Sequence, residues 1–401
     1  MGTAFTIDSP LKIARFGIVS TISIGDDELC EHMRKFYSKK HNFPYTYIDK
    51  KIDDHRAKRI TAYLDMMQDI IDAQILDMRK QPFTAHTDAT KYFELLSKDN
   101  PLKVLYLNFK SMVATHPQYT ATEAQLRQSI IPGELEVNIM TKVDKNNYAP
   151  DGTPLPDHYS DAQAGLRGFA KSRISGAVVF SAGFNRRLYA YADHLECFTP
   201  DAKGFCGKRL IIKVSDYRSA LIQGRFFAKK GLRPYEFRVE SGINCGGHAF
   251  IADGILMGPI LQAFKDNIDE LSKEIIASAN AVITSKGRHT YDPNQQIRVS
   301  VQGGIGTHEE YAFLRRYYPI VATGWATPFL LVPEASTVDE DTLECLRKAG
   351  EDDIFLSHVS PLGIRFQLVK DTLSETEKAK KIANGTTGSP CPKRYLVNNT
   401  E

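Results

Sequence analysis

Short apolar runs bounded by glycine, proline or charged residues recur through the second half of the chain. They are continuous rather than alternating, which is typical of parallel strands buried on both faces. These runs are residues 177–181, 209–215, 236–240, 297–301 and 320–323. Between them, residues 218–230, 259–279 and 309–318 carry apolar side chains at the three- and four-residue spacing of helices. The alternation from about residue 176 to 331 therefore predicts a parallel α/β fold.

The first third of the chain is less regular. Residues 12–19 and 134–140 predict two further strands, and residues 53–79 predict one long amphipathic helix followed by a shorter one at 88–97. We interpret residues 42–128 as a helical insertion in the α/β unit, with a small separate helical domain as the alternative. Beyond residue 331 the pattern predicts a helix at 339–348, a strand at 364–369 and an irregular tail over 376–401, so that residues 1–375 form the main domain.

Composition is that of an ordinary globular protein, and it limits the classes of function. Lysine plus arginine number 51 against 48 for aspartate plus glutamate, and a formal charge of +3 argues against a nucleic-acid surface. The six cysteines include no CxxC pair, so no metal site and no disulfide scaffold is expected. No apolar run approaches the roughly 18 residues that span a bilayer, so we expect no membrane segment and a cytoplasmic location.

A glycine-rich turn follows the strand predicted at 297–301. Gly303 and Gly304 precede Ile305, Gly306 and Thr307, and the next helix begins just beyond them. Glycines at the end of a strand let backbone N–H groups approach an anion, and the positive end of a helix adds to the attraction. The strand at 320–323 is followed by a second small-residue turn, Gly324-Trp-Ala326-Thr327. Phosphate sites of (β/α)8 barrels lie in two such neighbouring loops, so the order predicts a phosphate site.

A histidine follows a second pair of glycines after the strand at 236–240. The segment reads Ser241-Gly-Ile-Asn-Cys245-Gly246-Gly247-His248. In a barrel, the carboxyl ends of the strands carry the active site, and the imidazole of histidine suits proton transfer near neutral pH. Lys213, inside an apolar strand, needs a partner. It is either a structural ion pair or a cation at the edge of a bound cofactor.

The segment from Gly242 to His248 is similar to the G-x-E-A-G-G-H motif of nitronate monooxygenases, formerly called 2-nitropropane dioxygenases, and of the related flavin-type enoyl-acyl carrier protein reductases. The resemblance extends in the same order over about residues 12–331. It implies a flavoprotein with a (β/α)8 TIM barrel, bound FMN, and an oxidoreductase or monooxygenase reaction on a small molecule, with His248 as the proton-transfer residue. It assigns flavin contacts to Asn138, Gly246, Gly247, Gly303, Gly304, Ala326 and Thr327. The charge of Lys213 and the small-residue turn at Gly324 add these two residues to the predicted cofactor site.

Asn244 and Cys245 depart from this motif, since the family has Glu-Ala before Gly-Gly-His. The thiol of Cys245 is a second catalytic candidate, because inosine monophosphate dehydrogenase, another phosphate-binding barrel, carries a nucleophilic cysteine in the corresponding loop. Three alternatives therefore stay open. They are an NAD(P)H-dependent flavin reductase, a nucleotide dehydrogenase that uses Cys245, and a non-catalytic barrel that binds a phosphate ligand. The helical insertion at 42–128 is a candidate surface for forming a homo-oligomer.

Overall fold

The computed structural model describes residues 7–139, 144–149, 151–181, 183–240, 257–303, 305–325, 332, 335, 338–357 and 366–388. In chain order the strands are β1 (Ser20–Ile24), β2 (Leu135–Ile139), β3 (Ala177–Phe180), β4 (Arg209–Val214), β5 (Glu236–Glu240), β6 (Arg298–Gln302), β7 (Ile320–Gly324), β8 (Ile354–Ser357) and β9 (Phe366–Val369). The helices are α1 (Pro10–Ile13), α2 (Asp27–His41), α3 (His55–Met78), α4 (Asp88–Glu94), α5 (Pro101–Ser111), α6 (Tyr119–Ser129), α7 (Asp161–Lys171), α8 (Arg186–Ala192), α9 (Tyr217–Ala228), α10 (Met257–Ser285), α11 (His308–Tyr317), α12 (Glu340–Lys348) and α13 (Leu373–Ala383).

The first seven strands form one sheet whose order follows the chain, β1 to β7. Strand β1 pairs with β2 in parallel, and parallel pairing also joins β4 to β5, β5 to β6, and β6 to β7. The parallel α/β fold predicted from the sequence is therefore confirmed. Within the described residues the parallel sheet has seven strands, so the eight strands of a complete (β/α)8 barrel stay a prediction.

The sequence located most of these strands but misplaced the first. The predicted strands at 134–140, 177–181, 209–215, 236–240, 297–301 and 320–323 correspond to β2 through β7. The strand predicted at 12–19 is wrong, because Pro10 begins the short helix α1 and a 3-10 turn follows at Ala14–Phe16. Proline favours the first turn of a helix. Strand β1 begins only at Ser20. The sequence analysis did not recognise it, because Ser20, Thr21 and Ser23 interrupt its apolar pattern.

One compact unit contains residues 2–139 and 164–178. The helix predicted at 53–79 is confirmed by α3, and the one at 88–97 by α4. Helices α3 to α6 belong to the same unit as β1 and β2, and the interpretation of residues 42–128 as an insertion stays a prediction. Helix α2, which the sequence analysis did not predict, packs against α3.

The second unit contains residues 140–163 and 179–401 and carries β4 to β7 with their helices. Helices α9, α10 and α11 match those predicted at 218–230, 259–279 and 309–318, and α12 matches the one at 339–348. Helix α10 buries Ile260, Phe264, Ile268, Leu271 and Ile275. This three- and four-residue spacing gives the helix one apolar face, which packs against α9.

The C-terminal part of the chain is more regular than predicted. Strand β9, predicted over 364–369, pairs antiparallel with β8, which was not predicted. The irregular tail predicted from residue 376 is wrong for its first residues, because α13 continues to Ala383. Its glutamate and lysine residues favour helix, and Glu375 pairs with Lys378 one turn later. Among the helices described, none is both long and apolar enough to cross a membrane.

Arg59 on α3 donates hydrogen bonds to α2 and to the loop between the two helices. The contribution of these hydrogen bonds to the stability of the first unit can be tested. Arg59 is 1% exposed, and its Nη1 donates to Asp27 Oδ2 at 2.8 Å while Nε and Nη2 donate to the carbonyl oxygen of Ile48. We expect Arg59→Lys to lower the free energy of unfolding by about 1–3 kcal/mol in urea denaturation, because lysine keeps the charge but cannot reproduce the guanidinium fork.

Arg56 provides the matched control, because it reaches the same carboxylate of Asp27 at 3.6 Å from a more exposed position. Arg56→Lys should cost less than about 1 kcal/mol. Equal losses in the two variants would show that the buried hydrogen bonds of Arg59 do not stabilise this unit.

Candidate functional site

The carboxyl ends of β4 to β7 meet at one edge, because these strands run in the same direction. Glu240, Gln302 and Gly324 end β5, β6 and β7, and the pairing register places them side by side. Lys213 pairs with Arg238, which lies two residues before Glu240. Since side chains alternate between the faces of a strand, Lys213, Glu240 and Gln302 project from the same face.

These three side chains form a connected group, here called the Lys213–Glu240–Gln302 cluster. The Nζ atom of Lys213 lies 3.3 Å from Oε2 of Glu240, and Nε2 of Gln302 donates to Oε1 of Glu240 at 2.6 Å. The side chains of Lys213 and Glu240 are 18% and 13% exposed. Glu240 is thus the partner that Lys213 needs. The ammonium group has three N–H donors, so it retains donors that a ligand can accept.

A second polar layer supports this cluster from below, one level nearer the amino ends of the strands. Glu236 is 3% exposed, and its Oε1 accepts hydrogen bonds from Arg238 Nη2 at 2.8 Å and from Ser300 Oγ at 2.5 Å. A buried carboxylate is tolerated only when it is paired in this way. The sequence analysis missed the layer, although Glu236, Arg238 and Glu240 alternate with apolar residues at the period of a strand.

Two of the glycines predicted to bind the cofactor have a local structural requirement. Gly303 adopts φ +89°, a left-handed conformation that side chains rarely occupy, so the chain can turn sharply at the end of β6. A Cβ atom added to Gly324 would lie 2.8 Å from the Cβ of Gln302. Gly324 therefore leaves room for the side chain that supports Glu240.

The amino end of α11 already holds an anionic group. Oε2 of Glu310 accepts hydrogen bonds from the backbone N–H groups of Gly306 at 2.7 Å and Thr307 at 3.1 Å, while Thr307 Oγ1 accepts from the N–H of Glu310. These backbone hydrogen bonds hold the pKa of Glu310 below its usual value. The predicted phosphate site therefore faces a carboxylate at the same helix end, which was not anticipated.

Asn138, the remaining described residue of the predicted site, lies on β2 in the first unit. Its Nδ2 donates to Ser23 Oγ at 3.4 Å, and its side chain is almost fully buried. The Oδ1 atom is buried and accepts no hydrogen bond from the described residues. An acceptor left in this state costs free energy, and a donor on a ligand would satisfy it.

Several predicted site residues lie outside the residues that the structure describes. They are Cys245, Gly246, Gly247, His248, Gly304, Ala326 and Thr327. Their assigned roles stay predictions. In the part of the chain that is described, no group of three or more histidine, cysteine, aspartate or glutamate side chains is arranged to hold a metal ion.

No protein-family model matches this chain, and no curated protein matches it. Among solved structures it is similar to the enoyl reductase domain of MlnA from the macrolactin biosynthesis cluster of Bacillus amyloliquefaciens, with 18% identity over 66% of this chain and 61% of that chain and a TM-score of 0.38. It is also similar to FabK from Thermotoga maritima, with 15% identity over 68% of this chain and 66% of that chain and a TM-score of 0.34. The chain thus spans about three fifths of the MlnA domain. At these TM-scores neither likeness carries an argument about function.

The close approach of β6 and β7 can be tested by adding a methyl group at Gly324. We expect Gly324→Ala to lower the free energy of unfolding by roughly 1–3 kcal/mol, because the new Cβ would overlap the Cβ of Gln302 and only a backbone shift can separate them. Gly207→Ala is the control, since its added Cβ would have no neighbour nearer than 3.9 Å. If both variants unfold at the same urea concentration as the parent, Gly324 is not required for this packing.

Proposed function

We propose that the chain is an FMN-dependent oxidoreductase that acts on a small organic substrate, with His248 as its proton-transfer residue. The observation that carries the proposal is the position of Glu240. This residue is fixed to Lys213 and Gln302 at the carboxyl edge of the sheet, and the segment Ser241 to His248 follows it directly. Active sites of parallel α/β folds occupy this edge.

The described residues fit the chemical groups of FMN. The ammonium of Lys213 retains donors for a ring carbonyl oxygen, and a cation there would stabilise reduced, anionic flavin. The left-handed turn at Gly303 suits the approach of backbone amides to a phosphate.

The bound flavin would supply the redox chemistry by accepting two electrons from the substrate, with molecular oxygen as the terminal oxidant. His248 would accept the proton that the substrate carbon loses, and it would later release that proton to water. Glu240 would hold Lys213 in one position, so that its charge stays near the ring without a rearrangement during the reaction.

The test begins with the absorbance spectrum of the purified protein, which should show oxidised flavin either as isolated or after addition of FMN. His248→Gln should retain FMN but slow flavin reduction by a neutral nitroalkane, which still carries the proton that His248 would accept, roughly 10²- to 10⁴-fold in anaerobic stopped-flow measurements, because general acid–base catalysis contributes about that factor. His289→Gln changes an exposed histidine and should leave the rate unchanged.

A protein that stays colourless after addition of FMN would overturn the cofactor assignment. If His248→Gln reduces its flavin at the parental rate, the proton-transfer role is wrong. Rapid bleaching by NAD(P)H together with no reduction by nitronates would instead favour the NAD(P)H-dependent reductase.

Glu310 provides a separate test of the phosphate site. We expect Glu310→Gln to tighten FMN binding roughly two- to fivefold, because the variant removes a negative charge from the helix end that faces the phosphate. Riboflavin, which has no phosphate, should bind both proteins equally well. Glu309→Gln is the control, since Glu309 belongs to the same helical turn and is also exposed. Equal affinities of the parent and Glu310→Gln for FMN, measured by fluorescence titration, would place the phosphate elsewhere.

A further inference from the structure

A cavity of the second unit lies at the opposite edge of the sheet from the Lys213–Glu240–Gln302 cluster. Arg209 is the first residue of β4, and Tyr235 directly precedes β5, so the cavity opens at the amino ends of these strands. Its empty volume is about 400 Å³, including the part that is open to solvent.

The lining of this cavity is strongly basic. Lys208, Arg209 and Arg233 all contribute to it, together with Cys206, Gln295 and three aromatic side chains. None of the lining residues is an aspartate or a glutamate. A concave surface with several cations and no carboxylate focuses a positive potential on its interior.

Arg233 is the most unusual of these residues. It is 9% exposed, and its Nε atom is buried without a hydrogen-bond partner. Its guanidinium lies 5.2 Å from the centre of the Tyr291 ring, and within the described residues it forms no ion pair, since the carboxylate of Asp292 acts on it only at longer range. Burial lowers the pKa of Arg233 because the charged form loses hydration, and the electrostatic effects of groups such as Tyr291, Cys206 and Asp292 offset this loss only in part. A buried cation in this state would be stabilised by an anion.

The wall around Arg233 is held in place by aromatic contacts. Tyr235 lies between two guanidinium groups, with that of Arg209 4.9 Å and that of Arg298 5.0 Å from its ring centre. The Tyr291 hydroxyl donates to the carbonyl of Phe198 and accepts from the backbone N–H of Arg233. These contacts fix the donors before a ligand arrives, which lowers the entropic cost of binding.

We propose that this cavity is an anion-binding site, separate from the proposed FMN site, which takes the phosphate group of a small molecule. The guanidinium of Arg233 forms its floor and donates to the phosphate oxygens, in the bidentate geometry that arginine offers to phosphate. Lys208 and Arg209 contribute further positive charge. The exposed ring of Phe205 lies beside the opening, where it can cover an apolar part of the ligand.

The experiment titrates inorganic phosphate into the full-length protein by calorimetry at constant ionic strength, with one equivalent of FMN present, so that the proposed cofactor site is filled without an excess of a competing phosphate ligand. We expect saturable binding to the parent and a loss of affinity of at least tenfold in Arg233→Met. Because Arg233→Met removes a buried charge that has no partner, we expect it to unfold at the same temperature as the parent, or higher, when phosphate is absent.

Two further variants separate the site from general electrostatics. Gln295→Glu places a carboxylate in the lining and should also weaken phosphate binding at least tenfold, with little change in side-chain volume. Arg316→Met makes the same change of one charge at an exposed position on α11 and should leave the affinity unchanged. Absence of saturable binding to the parent would overturn the proposal, and so would equal weakening in all three variants. Neither result depends on whether FMN binds.

Discussion

The carboxylate of Glu240 is held between the ammonium group of Lys213 on β4 and the amide of Gln302 on β6. These two contacts connect three strands of the second unit at the edge where the candidate site lies. One level below, Glu236 is held in the same way by Arg238 and Ser300. Pairing stabilises charges in such partly buried positions. The pairing crosses from strand to strand, so the register of β4, β5 and β6 cannot slip without leaving a charge unsatisfied. This constraint fixes the positions of the side chains at the carboxyl edge of the sheet.

The sequence predicted the strands of the second unit from their apolar residues, which are continuous in β4 but alternate with polar residues in β5 and β6. Strand β1 escaped prediction because Ser20, Thr21 and Ser23 interrupt its apolar pattern. The same polar alternation is present in β5, where Glu236, Arg238 and Glu240 occupy every second position. One physical cause explains the missed strand and the missed polar layer, since a polar sheet face resembles exposed chain until its partners on neighbouring strands are known. The sequence analysis also failed to predict α13, although its lysine and glutamate residues favour helix.

Some residues of the candidate site could be recognised from local sequence patterns, and others could not. A glycine turn after a strand and a histidine after a glycine pair are local patterns, so the sequence alone identified Gly303 and His248 as candidates. The Thr307-x-x-Glu310 spacing is also a local pattern, the signature of a capping box, and it could have been recognised. The partner of Lys213 could not, because Glu240 lies 27 residues away and only the pairing of β4 with β5 brings the two together. The burial of Arg233 could not be predicted from the sequence, because it depends on Tyr291, which lies far along the chain.

Glu310 and Arg233 differ in how their charges are paired: Glu310 is an anion bound by backbone N–H groups, whereas Arg233 is a buried cation without an ion pair among the described residues. At the amino end of α11, backbone N–H groups that would attract a phosphate already bind the carboxylate of Glu310, so a phosphate bound there must compete with an internal anion. At Arg233 a cation is buried without an ion pair among the described residues, and burial destabilises its charged form. An internal anion lowers affinity but leaves the helix end satisfied when no ligand is bound. An unpaired buried cation does the reverse, because the free energy lost in burying it is recovered only on binding. The first arrangement suits a group that other contacts also hold, and the second suits a ligand recognised mainly by its charge.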